Sequence, residues 1–204
     1  MFLAFRRAHA FKAIKTLLAI SLLAFVWPVM AADLADTARL AELLKSQQYV
    51  LMLRHADAPG IGDPAGYSLK DCATQRNLGK LGRQQAVKIG HWLKSQGVES
   101  ALVLSSPWCR TRDTGAGMAL GEVVDEASLG SFFEDRSARM SQNSALQAVI
   151  RERLLAKGDL PLILISHQVN ISEFTGEYLA PGAMLLVKID ALGRPVLSQR
   201  MSAF

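Results

Sequence analysis

Two histidines and two arginines stand at the ends of three apolar runs, and together these residue types can transfer a phosphoryl group. Arg54-His55 closes Tyr49-Val50-Leu51-Met52-Leu53. Ser105-Ser106-Pro107-Trp108-Cys109-Arg110 follows Ala101-Leu102-Val103-Leu104, and Ser166-His167 follows Leu162-Ile163-Leu164-Ile165. Guanidinium is planar and permanently charged, and it meets phosphate oxygens with paired hydrogen bonds. A neutral histidine can attack phosphorus and carry it as a covalent phosphohistidine, which splits one hard displacement into two easier ones. A second histidine can donate a hydrogen bond to the equatorial oxygens, over which the transition-state charge spreads. This chemistry calls for no metal or other cofactor, and no His, Asp or Glu residues fall at metal-ligand spacing.

Such groups act only if secondary structure brings them together. Short apolar runs bounded by turn formers read as buried strands. Between them, Leu81 to Gln96 has Ala86, Ile89, Gly90 and Leu93 at helical spacing, with Gly97 in position to stop the helix. Asp36 to Ser46 also reads as a helix, and others are expected from near Trp108, over Ser144 to Ala156, and after His167 up to Gly176. Residues 56–77 and 121–143 read as irregular loops; the first, with Pro59, Gly60, Gly62, Pro64 and Gly66, is long enough to be functional. Ala183–Ile189 and Pro195–Arg200 read as a terminal hairpin. Strands alternating with helices predict an α/β three-layer sandwich: a mostly parallel sheet with helices on both faces, closed by a C-terminal antiparallel hairpin. The C-terminal edge of such a sheet is where ligands bind.

The motifs resemble those of the histidine phosphatase superfamily, the phosphoglycerate mutase-like family. Leu53-Arg54-His55-Ala56 matches its Arg-His-Gly motif, with alanine in the glycine place. The segment Arg76-Asn77-Leu78-Gly79-Lys80-Leu81-Gly82-Arg83-Gln84-Gln85-Ala86 resembles its Arg-x-Leu-Thr-x-x-Gly-x-x-Gln-Ala stretch. Ser105-Ser106-Pro107-x-x-Arg110-x-x-x-Thr114 resembles its second arginine motif, and Ile165-Ser166-His167 its second histidine. The resemblance implies a phosphoglycerate mutase-like fold with His55 as the phosphorylated nucleophile. Arg54, Arg110 and His167 would complete the phosphate pocket, with Arg76 as a further substrate-binding residue. For the proton donor it implies an acid between the second arginine motif and His167. Glu134 is preferred, with Asp135 and Asp57 as alternatives.

The first 31 residues read as a secretory signal peptide. Arg6, Arg7, Lys12 and Lys15 precede an apolar stretch of 11 residues from Leu17 to Trp27, and Val29-Met30-Ala31 suits cleavage. An uncleaved anchor is the rival reading, although the stretch is shorter than the roughly 20 residues a spanning helix needs. Of 23 Lys and Arg, four lie in this segment, which has no acid, so 19 bases face 18 acids in the remainder. The basic balance therefore belongs mostly to the segment and gives no case for a nucleic-acid partner. Residues 32–204 then form one domain, located in the periplasm or secreted, with no stable membrane insertion after cleavage. Cys72 and Cys109 either pair in such a compartment or stay as two buried thiols.

The expected activity is that of an exported phosphomonoesterase acting on a small phosphorylated substrate. The alternatives are a module that binds phosphate or a phospho-sugar without turnover, and a protein phosphohistidine phosphatase. Asn170-Ile171-Ser172 matches a glycosylation pattern but lies so close to His167 that it reads as a loop cap.

Overall fold

The computed structural model describes residues 40–202. The expected signal segment, residues 1–31, lies outside them, as do residues 32–39 and 203–204. The elements are α1 (Leu40–Lys45), β1 (Tyr49–Arg54), α2 (Lys80–Ser95), β2 (Leu102–Ser105), α3 (Cys109–Met118), β3 (Val123–Asp125), α4 (Arg139–Ala156), β4 (Leu162–Ser166), α5 (Gln168–Thr175), β5 (Met184–Ile189) and β6 (Pro195–Met201). None of the described helices is long and apolar enough to cross a membrane.

The six strands form one sheet in the order β3-β2-β4-β1-β5-β6. The first four run parallel, and β5 and β6 add an antiparallel hairpin. Alternation along the strands explains the layers. Leu51, Leu53, Val103, Ile163 and Ile165 point to one face, where Leu40 and Leu44 of α1, Ile89 and Leu93 of α2 and Met118 of α3 cover them. Val50, Met52, Leu104, Leu162 and Leu164 point to the other, under Leu146, Ile150 and Leu154 of α4 and Ile171 and Phe174 of α5. Burial on both faces is why these strands are unbroken apolar runs. The expected three-layer sandwich with its terminal hairpin is therefore the observed fold.

Register decides where the chemistry falls. Arg54 pairs with Ser166 across β1 and β4, and Ser105 pairs with Ile165 across β2 and β4. The three strands end level, so His55, Ser106 and His167 emerge side by side at one edge.

The reading of 121–143 as irregular is corrected in two places. Val123–Asp125 is an edge strand paired with β2, and α4 starts at Arg139 rather than Ser144. A three-residue, partly exposed strand is too short to show a period. Residues 139–143 of the helix are polar or solvent-facing, so the apolar spacing becomes visible only at Leu146.

The α2–α3 contact depends on Gly90, where an added Cβ would sit 2.1 Å from the Met118 carbonyl oxygen. Alanine gains roughly 1 kcal/mol of helix propensity over glycine. Overpacking against rigid backbone costs about 3 kcal/mol or more. Gly90→Ala is therefore expected to lower stability by about 2 kcal/mol, read as a lower urea midpoint with an unchanged slope.

Candidate active site

His55 leaves β1 into a segment held from three sides. Its N–H donates to Ser166 O, the Ala56 N–H donates to Thr114 Oγ1, and the Asp57 N–H donates to Gln85 Oε1. Thr114 Oγ1 in turn donates to Arg110 O, so α3 carries the arginine and clamps the histidine loop together. The first turn of α2 presses on the same loop: a Cβ on Gly82 would lie 1.9 Å from Asp57 O. Ala56 fits where the family motif has glycine. Its φ is negative, Ala119 being the one non-glycine residue with positive φ among those described, and its methyl packs with Ala58, Leu78 and Ala86.

The His55 ring has a defined tautomer. Nδ1 lies 2.8 Å from the Ala56 carbonyl oxygen, which can only accept, so Nδ1 carries the hydrogen and Nε2 keeps its lone pair. Nε2 makes no hydrogen bond to the described residues, and the ring lines a cavity of about 250 Å³. Burial, aided by the charges of Arg110, Arg76 and Arg54, lowers the His55 pKa to about 3. His167 is likewise held well below its ordinary value by burial and by Arg110. Both rings are neutral at pH 7, as a nucleophile and a hydrogen-bond partner require.

His167 lies at the end of β4 with its ring 5.5 Å from that of His55 and 5.1 Å from that of Trp108. Arg110 Nη2 donates to His167 Nδ1 at 3.4 Å, so Nε2 donates to Ser106 Oγ at 2.7 Å. A hydroxyl accepts or donates equally well, so Ser106 supports either tautomer. The α5 helix begins directly after His167, so its N-terminal end lies at the same edge.

Three arginines surround the histidines. Arg54 Nη1 donates to Leu179 O at 2.8 Å, and the Leu179 N–H donates to Gln168 Oε1. Arg76 Nε donates to Gly62 O at 2.7 Å, and its Nη1 donates to Ala58 O. Arg110 Nη1 donates to Asp63 Oδ1 at 2.8 Å. The Nε–H groups of Arg54 and Arg110 are buried and have no hydrogen-bond partner among the described residues.

Asp63 is the residue that sequence reasoning missed. It accepts from Arg110, from Trp108 Nε1 at 3.1 Å and from the Arg76 N–H at 3.0 Å. Burial alone would raise its pKa, but these donors hold it below the ordinary carboxylate value. No local pattern marks it: it is one acid in a loop, 47 residues before the arginine it pairs with.

Of the three acids considered as proton donor, only Glu134 lines the cavity. Asp135 is exposed and caps the turn at Ser137. Asp57 is half-buried beside the α2 N-terminus, outside the cavity wall. Burial, then the nearby Glu134 and Asp63 carboxylates, push the Tyr67 phenol up.

Cys72 and Cys109 form a disulfide, resolving the alternative left open by the sequence. It fastens the 56–77 loop to the start of α3, next to Arg110. Asn170 is buried and donates to Gly130 O at 2.7 Å, so it anchors the loop ahead of Ser131 and has no exposure for a glycan.

The neutral histidines set a pH dependence. In the unfolded chain they titrate near the ordinary value of about 6.5 and so bind more protons than in the fold. Below that value stability falls with pH, by about 1.4 kcal/mol per pH unit for His55 down to its folded pKa of about 3. Urea unfolding at pH 7.5, 6.0 and 5.0 is expected to show this loss. Replacing His55 with glutamine is expected to flatten the slope.

No protein-family model matches the chain, and no curated protein matches it by sequence. Solved structures do match. The protein histidine phosphatase SixA in complex with tungstate has 24% identity and a TM-score of 0.52, covering 76% of this chain and 97% of that one. Mycobacterial glucosyl-3-phosphoglycerate phosphatase with inorganic phosphate has 14% identity and a TM-score of 0.55, covering 76% and 96%. Phosphoserine phosphatase from Entamoeba histolytica, in complex with 3-phosphoglyceric acid, has 15% identity and a TM-score of 0.54, covering 76% and 96%. With two histidines and three arginines gathered at the strand ends, the chain has the fold of the histidine phosphatase superfamily.

Proposed function

We propose that this protein is an exported phosphomonoesterase that works through a phosphohistidine on His55. The observation that carries the reading is the His55 ring itself: Nδ1–H is tied to Ala56 O, and Nε2 is unprotonated and open to a cavity ringed by arginines. The Nε2 lone pair attacks phosphorus while Arg54, Arg76 and Arg110 hold the equatorial oxygens. His167, held between Ser106 and Arg110, keeps that guanidinium oriented toward them. The ester P–O bond breaks, and Glu134 gives its proton to the departing oxygen. Glu134 then accepts a proton from water, whose oxygen attacks phosphorus and expels neutral His55. Support for export comes from the N-terminal charge and hydropathy pattern and from the Cys72–Cys109 pair, which suits an oxidising compartment.

Mixing the protein with a radiolabelled phosphomonoester and quenching within milliseconds is expected to leave label on the chain. The adduct should be labile in acid and stable in alkali, as a phosphoramidate is. Label that survives acid, or hydrolysis with no adduct under any quench, contradicts the phosphohistidine. A second reading, release of phosphate from phosphohistidine on another protein, draws on the likeness to SixA across 97% of that chain. It predicts faster turnover of a histidine-phosphorylated protein than of any small ester.

A further inference from the structure

Outside the arginines, the cavity wall changes character. Ile61 is 91% exposed at the mouth, and Phe133, on the opposite segment, is 47% exposed. Neither packs in the core, and both line the cavity, as do Tyr67 and Val169. Ile61 is the tip of a turn between Gly60 and Gly62, whose φ values of 95° and 68° are in the left-handed region favoured by glycine. The turn is not loose: Arg76 grips it through Gly62 O and Ala58 O. A Cβ on Gly62 would lie 3.9 Å from the Phe133 ring, so the turn and the Phe133 segment come within van der Waals reach of each other at the cavity mouth.

Charge at the mouth is one-sided as well. Among the described residues, the cavity lining has no lysine and no arginine beyond Arg54, Arg76 and Arg110. Asp63 is already bound to Arg110, and Glu134 is the acid proposed for the leaving-group side. A second anionic group on the substrate would meet apolar side chains, with no further cation among the described lining residues to receive it. At about 250 Å³ the cavity has room for the phosphoryl group and one ring-sized substituent.

Resting on the phosphatase reading above, we infer that Ile61 and Phe133 form a leaving-group subsite for an uncharged, flat, apolar moiety, and that carboxylate-bearing phosphoesters are rejected. The turn that presents Ile61 is held by the same arginine that serves the phosphate, so the subsite and the phosphate pocket are fixed relative to each other.

The test compares benzyl phosphate, glycerol 3-phosphate and 3-phosphoglycerate with the purified full-length chain, since their leaving alcohols are of similar basicity. The kcat/KM values are expected to fall in that order, with about tenfold or more between first and last. Ile61→Ser combined with Phe133→Ser is expected to shrink the benzyl-to-glycerol ratio about tenfold. Equal rates, preference for 3-phosphoglycerate, or a ratio unmoved in the variant overturns the subsite. If no ester is hydrolysed, the phosphatase reading fails on its own. Calorimetry with benzylphosphonate against inorganic phosphate then still decides: tighter phosphonate binding that the double variant loses upholds the subsite, and equal affinities overturn it.

Discussion

His55→Ala is expected to lower kcat/KM for any phosphomonoester by about 10⁴-fold or more, with the protein still folded. In the proposed reaction the ring supplies the attacking lone pair, and no neighbour can replace it. His167 Nδ1 faces the Arg110 guanidinium, and its Nε2 hydrogen is given to Ser106. The side chain is 2% exposed, so truncation leaves a cavity. The decisive comparison is between kcat/KM and phosphate affinity. Inorganic phosphate should still bind to Arg54, Arg76 and Arg110 in the variant, whereas turnover and the acid-labile adduct disappear together. Near-normal turnover by His55→Ala would rule out the nucleophile.

Arg110→Ala is expected to damage both stability and catalysis. The guanidinium and the Asp63 carboxylate are 3% and 6% exposed and lie 2.8 Å apart. Removing the cation leaves a buried carboxylate with only the Trp108 and Arg76 N–H donors, which costs about 3–5 kcal/mol. It also removes a cation that lines the cavity beside His55, for a loss on the order of 10³-fold in kcat/KM. The two effects separate in a second variant. Asp63→Asn in the Arg110→Ala background discards the stranded charge, so the urea midpoint should recover much of its loss while kcat/KM stays low. Recovery of activity alongside stability would mean that Arg110 serves the fold alone. Arg110→Lys is not a substitute, since an ammonium cannot meet Asp63, Arg76 O and an oxyanion from one planar fork.

The amino-acid sequence alone determined what local chemistry can encode. β1, β2 and β4 are buried on both faces, so they are continuous apolar runs, and such runs need no partner to be recognised. The residues just beyond them, Arg54-His55, Ser106 to Arg110 and His167, follow directly in the chain, and the resemblance to the histidine phosphatases rests on them. Where distant segments meet, only the tertiary structure decided. Asp63 becomes part of the site because a glycine-rich loop folds over α3. The disulfide exists because the same loop brings Cys72 to Cys109. Glu134 rather than Asp135 faces the cavity because Asp135 is spent on capping Ser137. The short strand β3 owes its conformation to β2, since three residues hold no period of their own. The His55 tautomer is likewise a property of the fold: a loop clamped by Thr114, Gln85 and Ser166 places one carbonyl against one ring nitrogen, and that contact leaves the other nitrogen open to the cavity.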